Sequence, residues 1–218
     1  FDITAESIAL PGTPGGSSLD SITSMKEFTK WLERYLRKVK NDHPHAPIFA
    51  LGRSASAMML AQSAFDIFKK TGKSPFHGLI LLSPMFPHHP DHPEWLSISR
   101  WELLRFAENQ RISYNLPMID WMYDRHREIQ LTTDLLRRLP LLTLVGESDV
   151  EQVPLHERAE YQQLHKRFIN FNYCEISGGP HDLLCSSRKH RKPRLDTIHQ
   201  IYQFIDRLTP PSSPPKRH

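Results

Sequence analysis

Apolar positions along the chain follow two rhythms. Short, nearly unbroken apolar runs occur at Ile48–Leu51, Leu79–Leu82 and Leu141–Val145, and a partly alternating one at Phe171–Ile176. Runs of that length bounded by turn residues predict strands, and unbroken ones predict strands buried on both faces of a parallel sheet. Between them the period lengthens. Met25, Phe28, Trp31, Leu32, Tyr35, Leu36 and Val39 recur at three- and four-residue steps with Lys and Arg between them, which predicts an amphipathic helix over 21–40. A second helix of small and apolar residues is predicted over 54–70, directly after the strand at 48–51. A last one is predicted over 196–208, with Ile198, Ile201, Tyr202 and Ile205 on one side. A further short strand candidate, Ser7–Leu10, is closed by the turn-rich Pro11–Gly16.

Strands alternating with helices predict an α/β architecture, a mostly parallel sheet flanked by helices. The stretch between the strands at Leu79 and Leu141 is too long for a loop and carries Trp95, Trp101, Phe106, Met118, Trp121 and Met122. It reads as a small helical cap over 86–138, inserted between core segments 1–85 and 139–209. Residues 210–218, Pro, Ser and basic residues with nothing to bury, read as a disordered tail.

Composition narrows the class. The 218 residues are 39% hydrophobic and 24% charged, and 28 basic against 24 acidic residues give a formal charge of +4. Acids and bases are interspersed, so the mild excess does not indicate a nucleic-acid binder. No apolar stretch approaches the roughly 20 residues that span a bilayer. The opening Phe1-Asp2 carries no basic start or long apolar run of a secretory leader, and the expected location is cytoplasmic. Cys174 and Cys185 are too few for a disulfide framework or a Cys-rich zinc site.

The candidate chemistry lies at three strand ends. Gly52-Arg53-Ser54-Ala55-Ser56 stands between a strand and a helix, where a tight turn lifts a serine hydroxyl above the sheet and small neighbours let strand and helix close up. Asp149 follows the strand at 141–145, with Glu147 and Glu151 as rivals on the same loop. His181 follows the strand at 171–176 in the glycine-rich turn Ser177-Gly178-Gly179-Pro180. Nucleophile, acid and base in that chain order can form a triad: Ser54 attacks an acyl carbon, His181 takes its proton, and Asp149 fixes the imidazole tautomer. The backbone N–H of Ala55 would face the developing oxyanion. Ser54 could instead be only a helix N-cap.

These segments resemble the α/β-hydrolase superfamily, and within it the monoacylglycerol lipase and lysophospholipase group. The resemblance rests on Leu10-Pro11-Gly12, the elbow at 52–56, Leu82-Ser83-Pro84, Gly146-Glu147-Ser148-Asp149 and Gly179-Pro180-His181-Asp182-Leu183-Leu184, and it covers residues 7–208. It implies a serine hydrolase acting on esters or thioesters with an apolar acyl chain, a small lipid-like substrate, and no metal or organic cofactor. Ser56 departs from the family's second elbow glycine. The family also has strands ahead of the one at Ser7, with an oxyanion loop after one of them; those strands are expected to be missing from this chain, which leaves the second oxyanion donor unassigned. Acyl transfer by the same triad, or a non-catalytic scaffold with a hydrolase-like fold, are the alternatives. Two other segments invite function. His88-His89-Pro90-Asp91-His92 lacks the spacing of a helical metal site and reads as a solvated lid loop. The basic run 188–194 reads as a solvated loop or as a peripheral contact with phosphates or an anionic membrane.

Overall fold

The computed structural model describes residues 24–84, 133–150, 153 and 155–209. The strand candidate at 7–10, most of the cap at 86–138, the segment His88–His92, Glu151 and the tail lie outside the described residues. The chain forms two units, one of Phe1–Arg34 and Pro87–Gln130, the other of Tyr35–Phe86 and Leu131–His218.

Among the described residues there are four strands, β1 (Phe49–Arg53), β2 (Gly78–Leu82), β3 (Leu141–Gly146) and β4 (Phe171–Ile176), and five α-helices: α1 (Met25–Asp42), α2 (Ala55–Thr71), α3 (Thr133–Arg138), α4 (Leu155–Arg167) and α5 (Arg191–Leu208). The strands form one sheet in the order β1-β2-β3-β4, and every neighbouring pair is parallel. The two middle strands are buried at every position, which is why their sequences are almost unbroken apolar runs. In α1, Met25, Phe28 and Leu32 are buried in the first unit and Leu36 in the second.

Alternation along the strands sorts the core of the second unit into two layers. Ile80, Leu82, Leu142, Leu144 and Ile176 share one face with Phe204 of α5. The opposite face receives α4, whose Tyr161 ring stacks on Phe171 at a centroid distance of 6.3 Å. It also receives α2, which comes so close to β1 that a Cβ on Gly52 would sit 2.6 Å from the Cα of Ala57. Each fully buried Leu or Phe in these layers contributes about 1.5–3 kcal/mol of transfer free energy, enough for the sheet to hold its rim in one geometry.

Two elements depart from the sequence pattern. α5 begins at Arg191, so half of the basic run is its first turn; Pro193 is accepted there because the N–H it lacks would have no intrahelical acceptor. α4 has no clear apolar stripe, because the described residues it buries are Glu157, Arg158 and Tyr161.

Candidate active site

Because all four strands run the same way, their C-terminal ends share one rim, where ligands of open α/β sheets bind. Ser54 directly follows β1. Its φ and ψ are 52° and −128°, a conformation that costs a non-glycine residue on the order of 1–3 kcal/mol and persists only when its surroundings enforce it. Three contacts do so. The Ser54 N–H donates to Leu82 O at 2.9 Å, Ala57 N–H donates to Ser54 O at 3.0 Å, and Gly52 lets α2 begin against the strand. The Ser54 side chain makes no capping hydrogen bond to the helix. The capping alternative therefore lacks its defining contact, and the residue has the strained turn expected of an elbow. Ala55 opens α2, so its N–H is among the first-turn donors that have no intrahelical acceptor.

The acid and the histidine meet directly. Asp149 is buried after β3, and its Oδ2 lies 2.8 Å from Nδ1 of His181, whose side chain is about one-third exposed. Glu147, the described rival, is engaged elsewhere. Its carboxylate accepts from Gly178 N–H at 2.7 Å and from the Ser177 hydroxyl at 3.0 Å. The acid loop and the histidine loop are further joined by Glu147 N–H to Ile176 O at 2.9 Å and Ser148 N–H to Gly179 O at 3.0 Å. Gly146 is required by this closeness, since a methyl group there would run into the carbonyl oxygens of Gly179 and Pro180.

Two further residues of the rim have no role predicted from the sequence. Arg158 of α4 is buried and reaches under the acid loop. Its Nε donates to Val153 O at 2.9 Å and Nη2 to Gly146 O at 3.0 Å, while Nη1 donates to Glu147 O at 3.3 Å and pairs with Glu175. Ser83, at the end of β2 beside Ser54, also has a positive φ of 41°. Its hydroxyl is buried without a hydrogen-bond partner. The basic residues Arg188, Lys189, Arg191 and Lys192 are exposed where α5 begins.

The hydrogen bonds from Gly178 N–H and then from Ser177, helped by the Arg158 charge, hold the Glu147 carboxyl below its usual range. A carboxyl lowered by folding stabilises the native state above its ordinary value near 4.5, and that contribution disappears as pH falls through the lowered value. Urea unfolding of the wild type is therefore expected to need less denaturant at pH 3 than at pH 7, as acid removes this loop contact. In Glu147→Gln that difference is smaller, because the amide does not titrate. An unchanged pH difference in the variant would show that the contact does not couple the loops.

A parallel sheet with helices on both faces, a strained serine at one strand end and a buried acid on a histidine at two others define the α/β-hydrolase fold. Residues 14–137 match the family model described as serine aminopeptidase, S33, over more than half of the chain, and the chain belongs to that hydrolase family. No curated protein matches the sequence. Solved structures resemble it at low identity. A monoacylglycerol lipase of Paleococcus ferrophilus matches at 13% identity and a TM-score of 0.59, covering 89% of this chain and 81% of the other. An E-2-(acetamidomethylene)succinate hydrolase matches at 13% and 0.61, covering 90% and 79%. MenH of S. aureus matches at 19% and 0.55, covering 92% and 82%. At these identities the likeness is one of fold.

Proposed function

We propose that the protein is a serine hydrolase that cleaves carboxylic esters or thioesters with an apolar acyl chain through Ser54, His181 and Asp149. The observation that carries this reading is the 2.8 Å contact between buried Asp149 and His181 Nδ1, on the same rim as a serine held at positive φ. The carboxylate keeps a proton on Nδ1, which leaves Nε2 to accept the Ser54 proton as the oxygen attacks the acyl carbon. The Ala55 N–H stabilises the oxyanion. Collapse of the tetrahedral species expels the alcohol or thiol, which takes the proton back from His181. Water, deprotonated by the same imidazole, then releases the acid and regenerates Ser54.

A fluorophosphonate, which reacts with an activated serine and with little else, tests the reading. One equivalent is expected to attach to the wild type, with the adduct on the peptide that contains Ser54. Ser54→Ala should lose both the label and the hydrolysis of p-nitrophenyl butyrate. A labelled alanine variant, or an inert wild type, overturns the proposal. Comparison of p-nitrophenyl esters with aminoacyl p-nitroanilides separates ester cleavage from the peptide-bond cleavage that the family's description names.

A further inference from the structure

Two charged residues that the triad does not use flank it in the sequence. Arg53 immediately precedes Ser54, Asp182 immediately follows His181, and Arg53 Nη1 lies 2.7 Å from Asp182 Oδ2. Strand pairing does not produce this contact. Among the described residues β1 and β4 are the two outer strands of the sheet, about 14 Å apart at the usual interstrand spacing. The loop after β4 must reach back over the ends of β3 and β2 for Asp182 to meet Arg53.

The arginine is itself held at its backbone. The Ser56 hydroxyl accepts a hydrogen bond from Arg53 N–H at 3.0 Å and donates one to Arg53 O at 2.8 Å. Ser56 is the residue that stands where the G-x-S-x-G pattern has its second glycine, and a glycine could make neither bond. The departure from the pattern thus has a structural consequence: it clamps the residue whose guanidinium holds the histidine loop.

We propose that the Arg53–Asp182 ion pair, anchored by Ser56, is a latch that ties the loop carrying His181 to the strand end carrying Ser54, and so positions base and nucleophile for the reaction. Arg53 and Asp182 are positioning residues, and the inference rests on the hydrolase reading given above. Both side chains are about half exposed, so the pair adds little to global stability. Its effect falls on orientation, where a displacement of a fraction of an ångström between base and nucleophile is felt in rate.

The test is a double-mutant cycle on the full chain, read with p-nitrophenyl butyrate. Arg53→Gln and Asp182→Asn are each expected to lower kcat by about tenfold while KM stays within about twofold of wild type. The double variant should be no slower than either single, because the same contact is removed once. Arg53→Glu combined with Asp182→Arg should recover most of the lost rate, and a merely structural surface pair would give no such rescue. Ser56→Gly should show a smaller loss of the same kind. Single variants at wild-type rate, losses that multiply in the double variant, or a reversed pair no faster than the singles would each overturn the latch. Fluorophosphonate labelling of the same proteins separates the two levels of failure. A labelled Ser54 with no coupling between 53 and 182 removes the latch alone, whereas an unlabelled wild type removes the hydrolase reading and the latch with it.

Discussion

Asp149→Asn is expected to lower kcat by about four orders of magnitude with the fold intact. The carboxylate is buried, with its Oδ2 2.8 Å from His181 Nδ1. A carboxylate can only accept, so it places the imidazole proton on Nδ1 and, in the proposed mechanism, leaves Nε2 as the base. An asparagine of the same shape can turn its NH₂ toward Nδ1, which moves the ring proton to Nε2 and removes the acceptor the serine needs. It also withdraws the negative charge that, in the proposed mechanism, stabilises the imidazolium formed as Ser54 attacks. Neither effect concerns substrate binding, so KM should change little. Steady-state hydrolysis of p-nitrophenyl butyrate, with near-UV circular dichroism as the check on packing, gives the answer. A loss below about tenfold would mean that Asp149 is not the acid of a triad. Glu147 would be a poor replacement, because its carboxylate is already held by Gly178 and Ser177.

What could be read from the sequence follows from which interactions leave a mark on residue type. Leu79–Leu82 and Leu141–Val145 read as strands because burial on both faces demands apolar residues at every position, and β2 and β3 have that burial. β1 runs on to Arg53, beyond the apolar stretch, because its pairing continues to Leu82 regardless of side-chain chemistry. α4 was illegible for the opposite reason. Its inward face carries Glu157, Arg158 and Tyr161, and a polar face turned inward leaves no 3.6-residue apolar period to detect.

The site divides along the same line. Ser54, Asp149 and His181 stood out because a small-residue turn, an acid and a histidine each ended a recognisable strand. The structure puts Asp149 against His181 and gives Ser54 the strained backbone of an elbow. Asp182 has no role predicted from its place beside His181, yet it reaches Arg53, a residue far away in the chain. No local pattern encodes a contact between the end of β1 and the loop after β4, which are at opposite edges of the sheet among the described residues. Arg158 leaves no mark in the sequence because an arginine within a charged helix has the same sequence context whether it faces water or the backbone of a loop.

That buried arginine carries the second large expectation. Arg158→Ala should destabilise the protein by about 3 kcal/mol and lower kcat on whatever fraction remains folded. The guanidinium satisfies the carbonyls of Gly146, Glu147 and Val153 together, and pairs with Glu175 as well. Deleting it takes that donor from the carbonyls of Val153 and Glu147, while Gly146 O keeps the Asp149 N–H at 3.0 Å, and each acceptor left unpaired where water cannot reach costs on the order of 1–3 kcal/mol. Glu175 adds less, because its side chain is more than one-third exposed and water can take over the charge. Arg158→Lys should recover only part of the loss, since one ammonium cannot reproduce a planar fork aimed at several carbonyls. Urea unfolding of the three proteins supplies the free energies, and kcat at 15 °C, where the variants are most folded, supplies the effect on the site. If alanine cost less than about 1 kcal/mol, the Asp149 loop would be held by its own backbone bonds to the histidine loop, Ser148 to Gly179 and Glu147 to Ile176, and the arginine beneath it would be replaceable.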